Sequence, residues 1–229
     1  CVIDMARAIE ALSLHRFPVR VSPPVEKFIA GIAAIQEFMP ETEFLRILDP
    51  ECSRGVLEKI PDEVLRRMIG VALCNTAVPT VASAGSKTNV IPGECFCEVD
   101  CRTLPGSTAQ ELKNTLAEIL ASRGCRNFSI ELEGDPRPTE SSCDTPLYQA
   151  IEKAFLRNDP QARVVPYMSP GATDSRFFRE IGVPAYGVQF DSSVESAGLI
   201  HGHNERIRIE HVTMGVRVLY DAIKEFCVS

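Results

Sequence analysis

The sequence predicts a mixed fold: an α+β layer over residues 1–133, then, over 134–229, part of a doubly wound α/β arrangement. Three observations carry that expectation. Residues 94–102 alternate with clean period two, the mark of a strand with two different faces. Several stretches repeat apolar residues at three- and four-residue spacing, the stripe of an amphipathic helix. Beyond a stretch at 134–146 rich in Pro, Ser, Thr and Asp, the pattern changes to alternating strand and helix.

In order along the chain, Ile3, Ala6, Ile9, Ala11 and Leu12 predict a helix over 3–14. Phe17 to Val21 alternates and predicts a short strand, with Pro18 placing it at an edge. Ser22 stands where a cap belongs, ahead of Pro23 and Pro24 at the first positions of a helix. Val25, Phe28, Ile29, Ile32, Ala33 and Ile35 form its apolar stripe. Residues 40–61 predict irregular chain or short helical turns. Asp62 to Cys74 predicts a helix with Val64, Leu65, Met68, Ile69 and Ala72 inward.

Thr76–Ala84 and Glu94–Arg102 predict two strands joined by Gly85 to Gly93. On the second, Cys95, Cys97, Val99 and Cys101 share one face and Phe96, Glu98, Asp100 and Arg102 the other. Such a sheet has helices on one side and an open polar side. Ser107 or Thr108 then caps a helix to about Arg123, with Leu112, Leu116, Ile119 and Leu120 buried and Gly124 as its stop. Residues 127–133 alternate as a strand. The second half predicts helix 147–156, strand 162–167, helix 174–181, strand 184–190 and helix 210–227.

With 45% hydrophobic and 24% charged residues the composition is that of a globular protein. A net charge of −7, with no basic tract, argues against nucleic acid or an anionic membrane as partner. No apolar run approaches the roughly 18 residues that a bilayer span needs. Nine scattered cysteines, an odd number, fit free thiols in a reducing, cytoplasmic setting. The chain opens on Cys1 and reads as a helix at once, the expectation for part of something longer.

Three clusters bear chemistry. Ser169 to Arg176 joins a strand to a helix through small residues that allow close approach, beside a helix start that favours anions. Arg176 could grip a carboxylate with two bonds; taken alone, the stretch is better explained by a capped helix with an exposed arginine. Lys87 to Pro92 lies near Arg102, and Asn89 and Arg102 could meet one ligand, or stand on an ordinary solvated face. His201-Gly202-His203-Asn204-Glu205 offers ring nitrogens to a metal. Two alternating histidines do not complete a site, and no HExxH is present. Core packing accounts for Cys95, Cys97 and Cys101 better than a metal does.

Asn89-Val90-Ile91-Pro92, Glu98-Val99-Asp100-Cys101-Arg102-Thr103-Leu104-Pro105-Gly106, Pro170 to Arg176, Gly182 to Gly187 and His201 to Ile207, taken in order, resemble the zinc exopeptidase family. That family includes aminoacylase, acetylornithine deacetylase, succinyl-diaminopimelate desuccinylase, glutamate carboxypeptidase and carboxypeptidase S. The resemblance implies a ferredoxin-like lid, or dimerisation, domain over 1–133 and the C-terminal part of an α/β catalytic domain over 134–229. It implies His201 as a zinc ligand. It implies Asn89, Arg102, Gly171, Thr173, Asp174 and Arg176 as the groups that hold a carboxylate-bearing substrate. It further implies a homodimer through the lid sheet and hydrolysis of an N-acyl amino acid or short peptide by a two-zinc site whose base is a glutamate outside this chain. The family's N-terminal half, with its His-x-Asp pair, bridging Asp and Glu-Glu pair, has no counterpart here, so the chain alone is expected to be inactive. The alternative is a non-enzymatic module that dimerises or binds carboxylates.

Overall fold

A computed structural model describes residues 1–134, 138–169, 171–190 and 199–228. It falls into two compact units, Cys1–Arg20 with Cys74–Pro138, and Val21–Leu73 with Thr139–Ser229. The units therefore differ from the two linear halves expected, 1–133 and 134–229. The helical stretch after Arg20 groups with the later residues because its apolar stripe finds its neighbours there.

The first unit is built on α1 (Val2–Leu14), β1 (Thr76–Ala84), β2 (Cys95–Arg102) and α6 (Ala109–Ser122). The strands pair antiparallel from Thr76 opposite Arg102 to Ala84 opposite Cys95. The register slips between Pro79 and Val81. Pro79 has no N–H to give a ladder, and a bulge is where a strand accommodates that lack. The period-two reading of β2 holds residue by residue: Cys95, Cys97, Val99 and Cys101 are half-buried, and Phe96, Glu98, Asp100 and Arg102 are exposed. The inner face packs on a core of Ala11, Leu12, Ala77, Leu112, Leu116 and Ile119. A reciprocal capping box opens α6: Glu111 N–H donates to Thr108 Oγ1 at 3.2 Å, and Thr108 N–H donates to the Glu111 carboxylate at 2.9 Å.

Among the described residues the sheet has two strands. The expected strands at 17–21 and 127–133 form no ladder there, although Phe17 and Ile130 pack against the same core. Apolar alternation fixed which side chains turn inward; it did not supply hydrogen-bonding neighbours. The same holds for the strands expected at 162–167 and 184–190.

The second unit holds α2 (Pro23–Ala33), α3 (Glu41–Phe44), a 3₁₀ turn (Leu45–Leu48), α4 (Pro50–Leu57), α5 (Glu63–Leu73), α7 (Pro146–Asn158), α8 (Ser175–Glu180) and α9 (Ile209–Val228). Ser22 occupies the N-cap position of α2 but makes no side-chain cap bond. Pro23 and Pro24 remove two of the N–H groups that such a cap would satisfy. Val25, Phe28, Ile29 and Ala33 are buried, whereas Ile35 lies past the helix end and is exposed. Asp49 caps α4 by accepting from Glu51 N–H at 3.0 Å, with Pro50 at the first position. A β-carbon at Gly31 would run into Val165 Cγ1, and Phe28 meets the Tyr167 ring at 5.4 Å, so α2 lies hard against 165–167.

Helices α7 and α9 pack around Ile151, Ala154, Val218 and Ala222. Tyr186, Val188 and Phe190 lie against that cluster at every second position. A β-carbon at Gly215 would stand 2.7 Å from the Phe190 ring, so glycine is what admits the phenylalanine. The outward face of α9 is apolar too, with Ile209, Val212, Val216, Tyr220 and Ile223 exposed. No helix among the described residues is long and apolar enough to cross a membrane.

Ser53 is fully buried in α4, and its hydroxyl has no hydrogen-bond partner among the described residues. An unsatisfied buried polar group costs about 1–3 kcal/mol, and alanine is the better helix former. Ser53→Ala is therefore predicted to raise stability by about 1 kcal/mol, read as a higher urea midpoint at unchanged m; a lower midpoint would contradict this packing.

Candidate functional site

In the first unit the site residues lie at one end of the β1–β2 hairpin and in its connecting loop. Asn75, just before β1, fixes the chain just after β2: its Oδ1 accepts the Leu104 N–H at 2.8 Å and the Ser107 hydroxyl at 3.3 Å. Arg20 Nη1 donates to that hydroxyl at 3.3 Å. Arg102, two residues before Leu104, thus stands on a braced strand end. Its guanidinium pairs with Asp100, with Nε donating to Oδ2 at 3.0 Å and Nη2 lying 2.9 Å from a carboxylate oxygen. The period that separates the faces puts these two side by side. Asn89 is exposed in the loop, where Val90 N–H donates to the Lys87 carbonyl at 3.2 Å and Gly85 takes φ +65°.

In the second unit, Gly171 N–H donates to Ser169 Oγ at 3.2 Å. Pro170, between them, lies outside the described residues. Gly171, Thr173, Asp174 and Arg176 are exposed. The N–H groups expected free at this helix start are partly engaged: Arg176 N–H donates to the Thr173 carbonyl at 3.3 Å and Phe177 N–H to that of Asp174 at 3.1 Å. Asp174 makes no side-chain cap bond. The Arg176 guanidinium lies 4.6 Å from the Phe177 ring centroid, a cation–π contact that leaves its N–H fork at the surface.

Arg179, on the same short helix, is the anchor that the sequence did not reveal. Its Nε donates to Ser141 Oγ at 3.0 Å and its Nη2 to the Ala185 carbonyl at 2.6 Å. Ser141 Oγ also accepts the Ala185 N–H at 3.1 Å. Ser141 is 38 residues from Arg179 and 44 from Ala185 in the chain, so no local spacing announces its part in this anchor.

His201 sits in a tight turn in which Gly202 N–H donates to the Leu199 carbonyl at 2.8 Å. His201 has φ +59° and Asn204 φ +61°, the left-handed region that non-glycine residues rarely enter. Ile200 is exposed, as are His201, His203 and Glu205. Residues 191–198 ahead of it lie outside the described residues.

A catalytic zinc takes about three protein ligands and a water. Among the described residues no three His, Cys, Asp or Glu side chains are grouped to hold a metal. His201 is thus a single candidate ligand. His15 Nε2 is buried with no hydrogen-bond partner among the described residues, and burial holds its pKa below the usual histidine value. Burial also raises the pKa of Cys97 and Cys101, which keeps both thiols protonated on the packed face.

The sequence profile of peptidase family M20/M25/M40 matches residues 12–225. An N-fatty-acyl-amino acid synthase/hydrolase of Homo sapiens is 31% identical over 152 residues, 65% of this chain and 30% of that protein. A probable carboxypeptidase S-like protein of Dictyostelium discoideum is 25% identical over 79% of this chain and 33% of its own length. Aminoacylase-1 of Mus musculus is 27% identical over 61% of this chain and 34% of its own. The chain thus spans about a third of the curated relatives it matches. Among solved structures, an M20 family metallo-carboxypeptidase from Sulfolobus solfataricus shares the fold, with a TM-score of 0.55 and 17% identity over 99% of this chain and 56% of that one.

Arg179→Ala is predicted to destabilise the second unit by about 2 kcal/mol, the range for lost hydrogen bonds to a charged group. Urea unfolding checks this, and a loss under about 0.5 kcal/mol would mean that Arg179 does not anchor the loop.

Proposed function

The chain belongs to peptidase family M20/M25/M40, and from that premise we propose that it supplies the substrate-gripping part of a metal-dependent amidohydrolase. The bond cleaved is an amide or peptide bond next to a free carboxylate, as in an N-acyl amino acid or a short peptide. The observation that carries this reading is Arg102. It is a permanently charged fork on the open face of a hairpin whose other face is packed, and it sits on a braced strand end. The named activities of the relatives, on N-fatty-acyl amino acids in one case and as a carboxypeptidase in another, suit a substrate with such a carboxylate.

Roles follow from chemistry. Arg102 takes the carboxylate, and Asn89, in the loop at the other end of the hairpin, offers an amide to a separate part of the substrate. Gly171, Thr173, Asp174 and Arg176 are a separate set of candidate substrate contacts, all within the second unit. His201 contributes one nitrogen to a zinc pair whose remaining ligands lie in a longer protein. The chain alone is then inactive. A cytoplasmic setting, suggested by nine free cysteines, belongs to the same proposal.

A second reading has its own support. Val78, Val81 and Phe96 are exposed on the hairpin, and beyond it no further ladder runs along either strand among the described residues. Edge pairing there would make a homodimer, with the chain acting as a dimerisation or carboxylate-binding module.

Zinc titration and an N-acyl amino acid hydrolysis assay on the 229-residue chain separate these claims. The predicted result is no tight zinc pair and no turnover above buffer. Two tightly held zincs with turnover would overturn the assignment of the catalytic groups to a longer protein. In that longer protein, His201→Ala is predicted to lower zinc content and to lower kcat by about 100-fold or more; unchanged zinc content would remove His201 from the site.

A further inference from the structure

Asp100 holds Arg102 along one edge only. Nε donates to Oδ2 at 3.0 Å, and Nη2 lies 2.9 Å from that same oxygen. A guanidinium has five N–H donors in a rigid planar fork. Asp100 occupies the Nε–Nη2 edge. The edge left over, Nη1 with the second N–H of Nη2, is the one able to grip another carboxylate through two parallel bonds.

The backbone beneath the pair is fixed. Arg102 lies opposite Thr76 and Asp100 opposite Val78 in the ladder, and Asn75 ties down the chain beyond. Both side chains are 46% exposed, so the pair adds little to the stability of the fold. Its larger effect is on the arginine itself. A free arginine samples many rotamers, and a ligand must halt that motion on binding; a partner that has already fixed the guanidinium plane lowers the cost.

We propose that Asp100 is a positioning residue for substrate recognition: it sets the plane of the Arg102 guanidinium so that the Nη1–Nη2 edge meets the free carboxylate of the substrate. This rests on the reading that Arg102 takes that carboxylate. Asp100 touches no substrate atom. Its own negative charge opposes the incoming carboxylate, so positioning and repulsion act in opposite directions, and the sign of a substitution decides which dominates.

The test uses the uniformly ¹⁵N-labelled 229-residue chain, with N-acetyl-L-alanine as the carboxylate probe and N-acetyl-L-alaninamide as its neutral counterpart. In the unsubstituted chain the acid is expected to shift the Arg102 Nη signals, while the amide leaves them in place. Asp100→Asn is expected to weaken binding of the acid about 5-fold without moving the backbone amide signals of β2. Asp100→Glu is expected to restore most of that affinity. An unchanged or tighter affinity in Asp100→Asn would overturn the positioning role. Absence of any Arg102 response in the unsubstituted chain would instead overturn the Arg102 reading, and this proposal with it.

Discussion

Burial of one face of the β1–β2 hairpin under α1 and α6 is the constraint on which the first unit depends. Ala77, Leu112, Leu116 and Ile119, with Ala11 and Leu12, exclude water from that face, and the half-buried Val99 and Cys101 pack against them. Burial at about 25 cal/mol per Å² of apolar surface makes a one-residue slip of register costly, because every second side chain would change face. The same constraint sends Phe96, Glu98, Asp100 and Arg102 outward. A charged pair on a rigid strand is therefore a consequence of the core beneath it. The bulge at Thr80, whose hydroxyl donates to the Glu98 carbonyl at 3.4 Å, is where the register shifts by one residue beside Pro79.

The second unit works differently, with irregular segments tied to helices by point contacts. Phe190 enters the space left by Gly215 and stacks near Phe155, which secures one end of 184–190. Thr145 and Tyr186 share a hydrogen bond of 2.6 Å, and Ser141 with Arg179 holds Ala185. Site residues here sit on loops at the edge of well-packed helices, where exposure and backbone strain are tolerated. The left-handed backbone at His201 and Asn204 is such strain.

Local signals in the sequence were read well where the structure needs only local chemistry. The cap at Thr108, one of the two residues expected there, the prolines opening α2 and the two faces of β2 are all short-range features. Helix α9 begins at Ile209, one residue from its expected start. The uncertain stretch 40–61 resolves into α3, a 3₁₀ turn and α4, each only a few residues long, below what periodicity can distinguish. What stayed hidden depends on distant partners. The lack of ladder partners for 162–167 and 184–190 among the described residues, the grouping of Val21–Leu73 with later residues and the Arg179–Ser141 bond leave no mark at fixed spacing. Asp100 and Arg102 could be placed on one face from the sequence; that they share one oxygen needed the structure.

The central claim is that the open face of the hairpin recognises a carboxylate through Arg102. Isothermal titration of N-acetyl-L-alanine into the chain and into Arg102→Ala tests it most directly. The account predicts measurable binding that falls at least about 10-fold in Arg102→Ala, with the thermal midpoint of unfolding unchanged. Equal affinity in the two proteins would contradict it.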